Sequence, residues 1–139
     1  MDINGSSEVE LASYMYDNRP VHNMLLKRLR GRSGFSLNVY IDAETLKLGT
    51  PYFQKGRLKD LRTAGANVYV CRGKKNLGAY HCKGCVIDRR YLYTGGANFT
   101  EKSLCNEEWC YKVVGCPAVK QVLERLALDR QRHKLWDGL

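Results

Sequence analysis

His81 and Lys83 stand two positions apart in the stretch Tyr80 to Ile87, which reads as a strand. A strand sends alternate side chains to one face, so an imidazole and an ammonium are expected side by side. Tyr91 to Tyr93 reads as the return strand of a hairpin turning through Asp88, Arg89 and Arg90. Beyond it come Gly95 and Gly96, where backbone can pass close to a ligand or fold tightly, and then Asn98 and Thr100. Imidazole titrates near neutral pH and can act as nucleophile, base or acid. An ammonium and a side-chain amide both donate to phosphate oxygens. A His, a Lys and an Asn on one patch therefore make a phosphate-handling site that requires no metal.

As a pattern, His81-x-Lys83, then Asp88 after four residues, then Gly95-Gly96-x-Asn98 after six more, resembles the HKD signature of the phospholipase D superfamily. The resemblance is firmest from Tyr80 to Val114. It implies an α/β/α layered fold and cleavage of phosphodiesters without metal or cofactor, through a covalent phosphohistidine. In that scheme one motif histidine attacks phosphorus and the histidine of a second motif protonates the leaving oxygen. The motif lysine and asparagine hold the phosphoryl oxygens, and an acidic residue just before the next strand orients the histidine. Here Glu108 precedes the predicted strand Trp109 to Val114 and is the candidate, with Glu107 the alternative. Gly96 occupies a phosphate-binding position where the family usually has Ser, and Thr100 is the candidate replacement for the lost hydroxyl. Asp88 belongs to the motif, yet an Asp in a tight turn commonly bonds its own backbone.

The other reactive side chains get plainer readings. Cys82 and Cys85 form a CxxC, but a zinc site commonly needs a second such pair and none exists, so no metal is expected. The six cysteines read as mostly free thiols of a reducing compartment. His22 and His133 have no partners at useful spacing. Trp109 and Tyr111 are expected in the core.

Positioning these residues requires a framework. Val9 to Tyr16 alternates as a strand, and Asn18-Arg19-Pro20 opens a helix that carries Val21, Met24, Leu25 and Leu29 on one stripe and stops near Gly31. Lys27, Arg28 and Arg30 fall largely off that stripe, as on a solvated face. Phe35 to Ile41 and Val68 to Cys71 read as strands, Leu58 to Ala64 as a short helix, and Thr45 to Lys55 as ambiguous around a Gly49-Thr50-Pro51 loop. Val119, Val122, Leu123 and Leu126 mark a final amphipathic helix beginning near Pro117. Strands alternating with helices, then a run of strands, predict one α/β domain over residues 1–139 with a mixed β-sheet, and the resemblance implies helices flanking that sheet on both faces.

Charge narrows the substrate. With 23 Lys plus Arg against 14 Asp plus Glu, the net charge of +9 favours a polyanion. Lys74 and Lys75 in one loop, and Arg89 and Arg90 in another, are expected to flank the site and touch nucleic-acid phosphates. A nuclease of low sequence specificity is the leading expectation. A phosphodiesterase acting on an anionic lipid such as cardiolipin, and a nucleic-acid-binding module without turnover, are the alternatives. The sequence has no secretory signal or membrane-spanning run, so a soluble intracellular protein is expected. One motif in a two-histidine scheme predicts a homodimer sharing one site.

Overall fold

The computed structural model describes residues 1–31 and 34–139. Seven strands form one sheet: β1 (Glu8–Ser13), β2 (Ser36–Asp42), β3 (Asn67–Cys71), β4 (Gly84–Ile87), β5 (Tyr91–Gly95), β6 (Cys110–Val114) and β7 (Lys134–Leu135), in the spatial order β6-β5-β4-β1-β2-β3-β7. β1, β2 and β3 run parallel, and the remaining pairs are antiparallel. Alternation along the central strands supplies two apolar faces. Val9, Leu11, Val39 and Ile41 point to one side, where α1 (Arg19–Leu29) and α3 (Gln54–Thr63) lay down Val21, Leu25, Leu58 and Leu61. Ala12, Tyr40, Val86 and Leu92 point to the other, under Val119 and Leu126 of α4 (Cys116–Arg132). Each aliphatic side chain fully buried in these layers contributes roughly 1.5–3 kcal/mol. The mixed sheet between two helical layers is the architecture expected from the sequence.

Local signals start the helices. Asn18 caps α1 by accepting from Val21 N at 3.0 Å, and Pro20 sits in its first turn, where its missing N–H costs nothing. Asp42 ends β2 and caps α2 (Ala43–Leu48), accepting from Glu44 N and Thr45 N.

Two elements go beyond the expectations, and two expectations are corrected. α2 occupies part of the segment read as ambiguous, and β7 adds an edge strand to β3. β4 begins at Gly84, so Tyr80 to Lys83 lie outside the strand, past its last pairing with β1 at Ala12. Trp109 and Tyr111 are 81% and 57% exposed, because β6 is the sheet's edge strand. No helix among the described residues is long and apolar enough to cross a membrane.

Candidate active site

Parallel β1, β2 and β3 end together, and the antiparallel β4 starts at that same edge. The segment Tyr80 to Lys83 therefore runs along the C-terminal edge of the parallel strands, where α/β sheets commonly bind ligands. It is held from two sides. Tyr80 N donates to Asp42 Oδ1 at 2.8 Å, and Tyr80 Oη donates to the buried Asp129 of α4 at 3.0 Å. These anchors turn the chain out of the ladder and leave His81 exposed at the edge.

His81 and Lys83 meet there, although not by strand alternation. The Lys83 ammonium lies 2.9 Å from His81 Nδ1 and donates to the His81 carbonyl at 3.0 Å. Thr94 Oγ1 donates to the Lys83 carbonyl at 2.8 Å, fixing the lysine backbone to β5. The ring of Tyr14, just past β1, lies 4.7 Å from the His81 ring, and the Lys83 ammonium sits 5.7 Å from the Tyr14 ring centre. Tyr14 was read only as part of a strand. Its aromatic type at the end of β1 was the one available signal.

Asn98 reaches the same edge through a pinned loop. Asp17 N and Asn18 N both donate to Phe99 O, Phe99 N donates to Ser13 Oγ, and Glu101 N donates to Asp17 Oδ1. Asn98 Oδ1 is buried without a hydrogen-bond partner, so this amide keeps bonding capacity unspent. Lys83, Gly95 and Asn98 line one cleft of about 260 Å³, with Val21, Phe99 and Leu104 on its apolar walls. Gly95 must be glycine, since a Cβ there would lie 2.1 Å from Trp109 O.

Glu108 belongs to this edge. A Cβ on Gly96 would lie 3.4 Å from Glu108 Oε1, and the Glu108 carboxylate helps keep the Lys83 ammonium charged. Partial burial is the larger influence on Lys83 and pulls its pKa below the usual lysine value. Glu107 and Glu108 are both exposed, and Glu108 is the one beside Gly96 and Lys83.

Other expected site residues lie elsewhere or are otherwise engaged. Asp88 is at the far end of β4, where Oδ1 accepts from Ser7 N at 2.7 Å and Glu8 N at 3.0 Å. It and Arg89 take positive φ in the hairpin turn, so Asp88 holds the start of β1 rather than the motif histidine. Arg89, bonded to Glu8, and Arg90, stacked on Tyr91, share that far end and do not flank His81. Thr100 is buried, its hydroxyl bonded to Ser103 in a local turn, so it does not replace the missing Ser hydroxyl. Lys74 and Lys75 follow β3 at the same edge as His81. His22 is buried between Tyr16 and Asp60, and burial lowers its pKa. His133 lies beside Tyr80, with its pKa lowered by burial. Among the described residues no three His, Cys, Asp or Glu side chains cluster as a metal site. Cys71, Cys82, Cys85, Cys105 and Cys110 are free thiols.

A seven-stranded mixed sheet between helical layers, with this constellation at the ends of its parallel strands, defines a phospholipase D-like domain. Residues 2–129 match the family described as "Cardiolipin synthase, PLD-like domain", and the chain belongs to that family. No curated protein matches the sequence. Among solved structures it is similar to Nuc from Salmonella typhimurium, a phospholipase D family member, with TM-score 0.82, 16% identity, and coverage of 96% of this chain and 85% of that one. NucT from Helicobacter pylori gives TM-score 0.74 and 16% identity over 96% and 86% of the two chains. Phosphatidylserine synthase from Haemophilus influenzae Rd KW20 gives TM-score 0.64 and 14% identity, over 94% of this chain and 34% of that chain.

Proposed function

We propose that the protein is a metal-independent phosphodiesterase, with nucleic acid as its main substrate and His81 as its nucleophile. The observation that carries this reading is the convergence of His81, Lys83, Asn98 and Glu108 at one sheet edge. A phosphodiester placed there gives the Lys83 ammonium an anionic acceptor stronger than the ring nitrogen it now meets. Asn98 supplies amide hydrogen bonds to a second phosphoryl oxygen. His81 nitrogen attacks phosphorus, the bond to the leaving oxygen breaks, and that oxygen takes a proton from His81 of a second copy. That imidazole then removes a proton from water, and the hydroxide splits the phosphohistidine. The balance is one diester plus one water giving one monoester plus one alcohol. Glu108, beside Lys83 and Gly96, favours the charged form of that ammonium through the cycle.

The net charge of +9 and the placement of Lys74 and Lys75 at the His81 edge favour a polyanion. The solved neighbours named Nuc and NucT support the same choice. An anionic lipid is the second reading, favoured by the apolar walls of the 260 Å³ cleft beside Lys83 and by the family description.

Purified protein incubated with DNA, RNA and cardiolipin vesicles, each in excess EDTA, tests both. We expect cleavage of nucleic acid that persists in chelator, and His81→Asn to lower turnover by at least about three orders of magnitude while still binding. Loss on chelation with rescue by a divalent ion, or half the activity surviving in His81→Asn, overturns the phosphohistidine reading. Cleavage of vesicles alone selects the lipid.

A further inference from the structure

Two aromatic side chains stand out of the surface in the turn between α2 and α3. Tyr52 is 86% exposed and Phe53 57% exposed, their rings 5.1 Å apart and edge to face. Large apolar rings are usually buried, and this pair is held out by a built support. Gln54, fully buried, accepts from Tyr16 N at 2.7 Å and donates to Thr45 Oγ1 at 3.2 Å. Thr45 Oγ1 donates in turn to Tyr14 O at 2.9 Å. The turn is thus stitched to the residue whose ring packs on His81.

Cations surround the same turn. The Arg57 guanidinium lies 5.3 Å from the Phe53 ring centre. Lys55, two residues past Phe53, opens into a cleft of about 580 Å³ between α2, the end of β3 and the end of α4. Lys47, Arg132 and Lys134 line that cleft with it, against one acidic side chain, Asp137. Arg72 also lines it but is bonded to Glu44 at 3.0 Å. In the sheet order, β4 at the His81 edge and β7 at the cleft are four steps apart, roughly 19 Å at about 4.8 Å per step.

Exposed aromatic rings interleaved with cations along a track suit unpaired bases with their phosphates. In a duplex the base faces are covered by their neighbours and offer a protein ring nothing to stack on. We propose that Tyr52 and Phe53 form a base-stacking platform, that Lys47, Lys55, Arg132 and Lys134 seat the phosphates of the same strand, and that single-stranded nucleic acid is the substrate class. The proposal rests on the phosphodiesterase reading and names its substrate.

The test uses full-length His81→Asn protein, which leaves oligonucleotides intact, and measures Kd for a labelled single strand and for the duplex of the same sequence. Adding Tyr52→Ala with Phe53→Ala is expected to weaken single-strand binding by about tenfold or more, with a smaller loss for duplex. Tyr52→Phe, which keeps the ring, retains the affinity. Lys55→Ala with Lys134→Ala should reduce the slope of log K against log salt by roughly 1.4, at about 0.7 per phosphate contact. Equal losses for both substrates, or no loss, overturn the platform. Hydrolysis of bis(4-nitrophenyl) phosphate by the wild-type protein reads the catalytic centre alone. Turnover there with no single-strand preference sinks only the platform, whereas absent turnover with the preference intact sinks only the catalytic reading.

Discussion

Lys83 carries two demands that pull against each other. In the proposed reaction it must stay cationic to hold a phosphoryl group, yet partial burial disfavours its charge, with the Glu108 carboxylate opposing that effect. The active form is the protonated one, so a lowered pKa moves its loss to lower pH than an ordinary lysine, near 10.4. Turnover is therefore expected to fall on the alkaline side below the usual lysine range. Lys83→Arg, charged at all accessible pH, should lose that limb whatever its overall rate. An identical limb in both proteins, measured as kcat against pH, would assign it to another group. The motif residues were legible because their spacing is local: His81 and Lys83 touch across two positions, and Asn98 follows a hairpin. Tyr14 and the Gly96–Glu108 proximity depend on contacts between distant segments, which spacing does not encode. The Asp88 motif position was legible too, but its turn geometry sends the carboxylate to Ser7 and Glu8.

At the scale of elements, Asp42 joins the fold to the site. One carboxylate oxygen caps α2 and the other receives Tyr80 N, one residue before His81. Asp42→Ala removes a cap and strands a buried N–H, at a cost of about 2–4 kcal/mol. Urea unfolding should show the lower midpoint, and turnover should fall further than stability explains, because the His81 segment loses its tether. Full turnover in folded Asp42→Ala protein would mean that Asp129 alone positions the segment. This tether also explains why β4 is shorter than its composition predicts. Tyr80 to Lys83 has a strand's composition, but the ladder partner ends at Ala12, and the two carboxylates capture Tyr80. Longer periodic segments such as α1, α4 and β2 were readable, because each carries its own apolar pattern. α2 is six residues long and β7 two, too short for a period to emerge. A deeper tie between layers is Glu10, nearly buried in β1, which accepts from Tyr40 Oη at 2.6 Å and pairs with Arg130 of α4 at 3.3 Å.

At the scale of the whole molecule, the question is how a chain with one His81 could complete the proposed cycle, which uses two imidazoles. Neither other histidine is placed to help: His22 is buried on α1, and His133 faces Tyr80 among cationic residues. We propose that a twofold dimer supplies the second imidazole, since in such a dimer the same patch on two copies meets itself. The surface for such a meeting lies beside the site. Edge strand β6 and its approach expose Trp109, Tyr111 and Leu104, next to Glu108 and the Gly95–Trp109 contact. Exposed apolar side chains along an unpaired strand are the kind of edge that proteins cover by association. Mixing wild type with His81→Asn tests the shared site. With free exchange and equal stability, only dimers with two working histidines turn over, so activity should follow the square of the wild-type fraction. An equal mixture should retain about a quarter of the activity, whereas independent chains would retain about a half. Trp109→Glu places a charge on the proposed seam and should yield monomers by sedimentation, with turnover lost in parallel. Linear dependence on the wild-type fraction, together with a fully active Trp109→Glu monomer, would mean that one copy of His81 performs both the attack and the proton transfer.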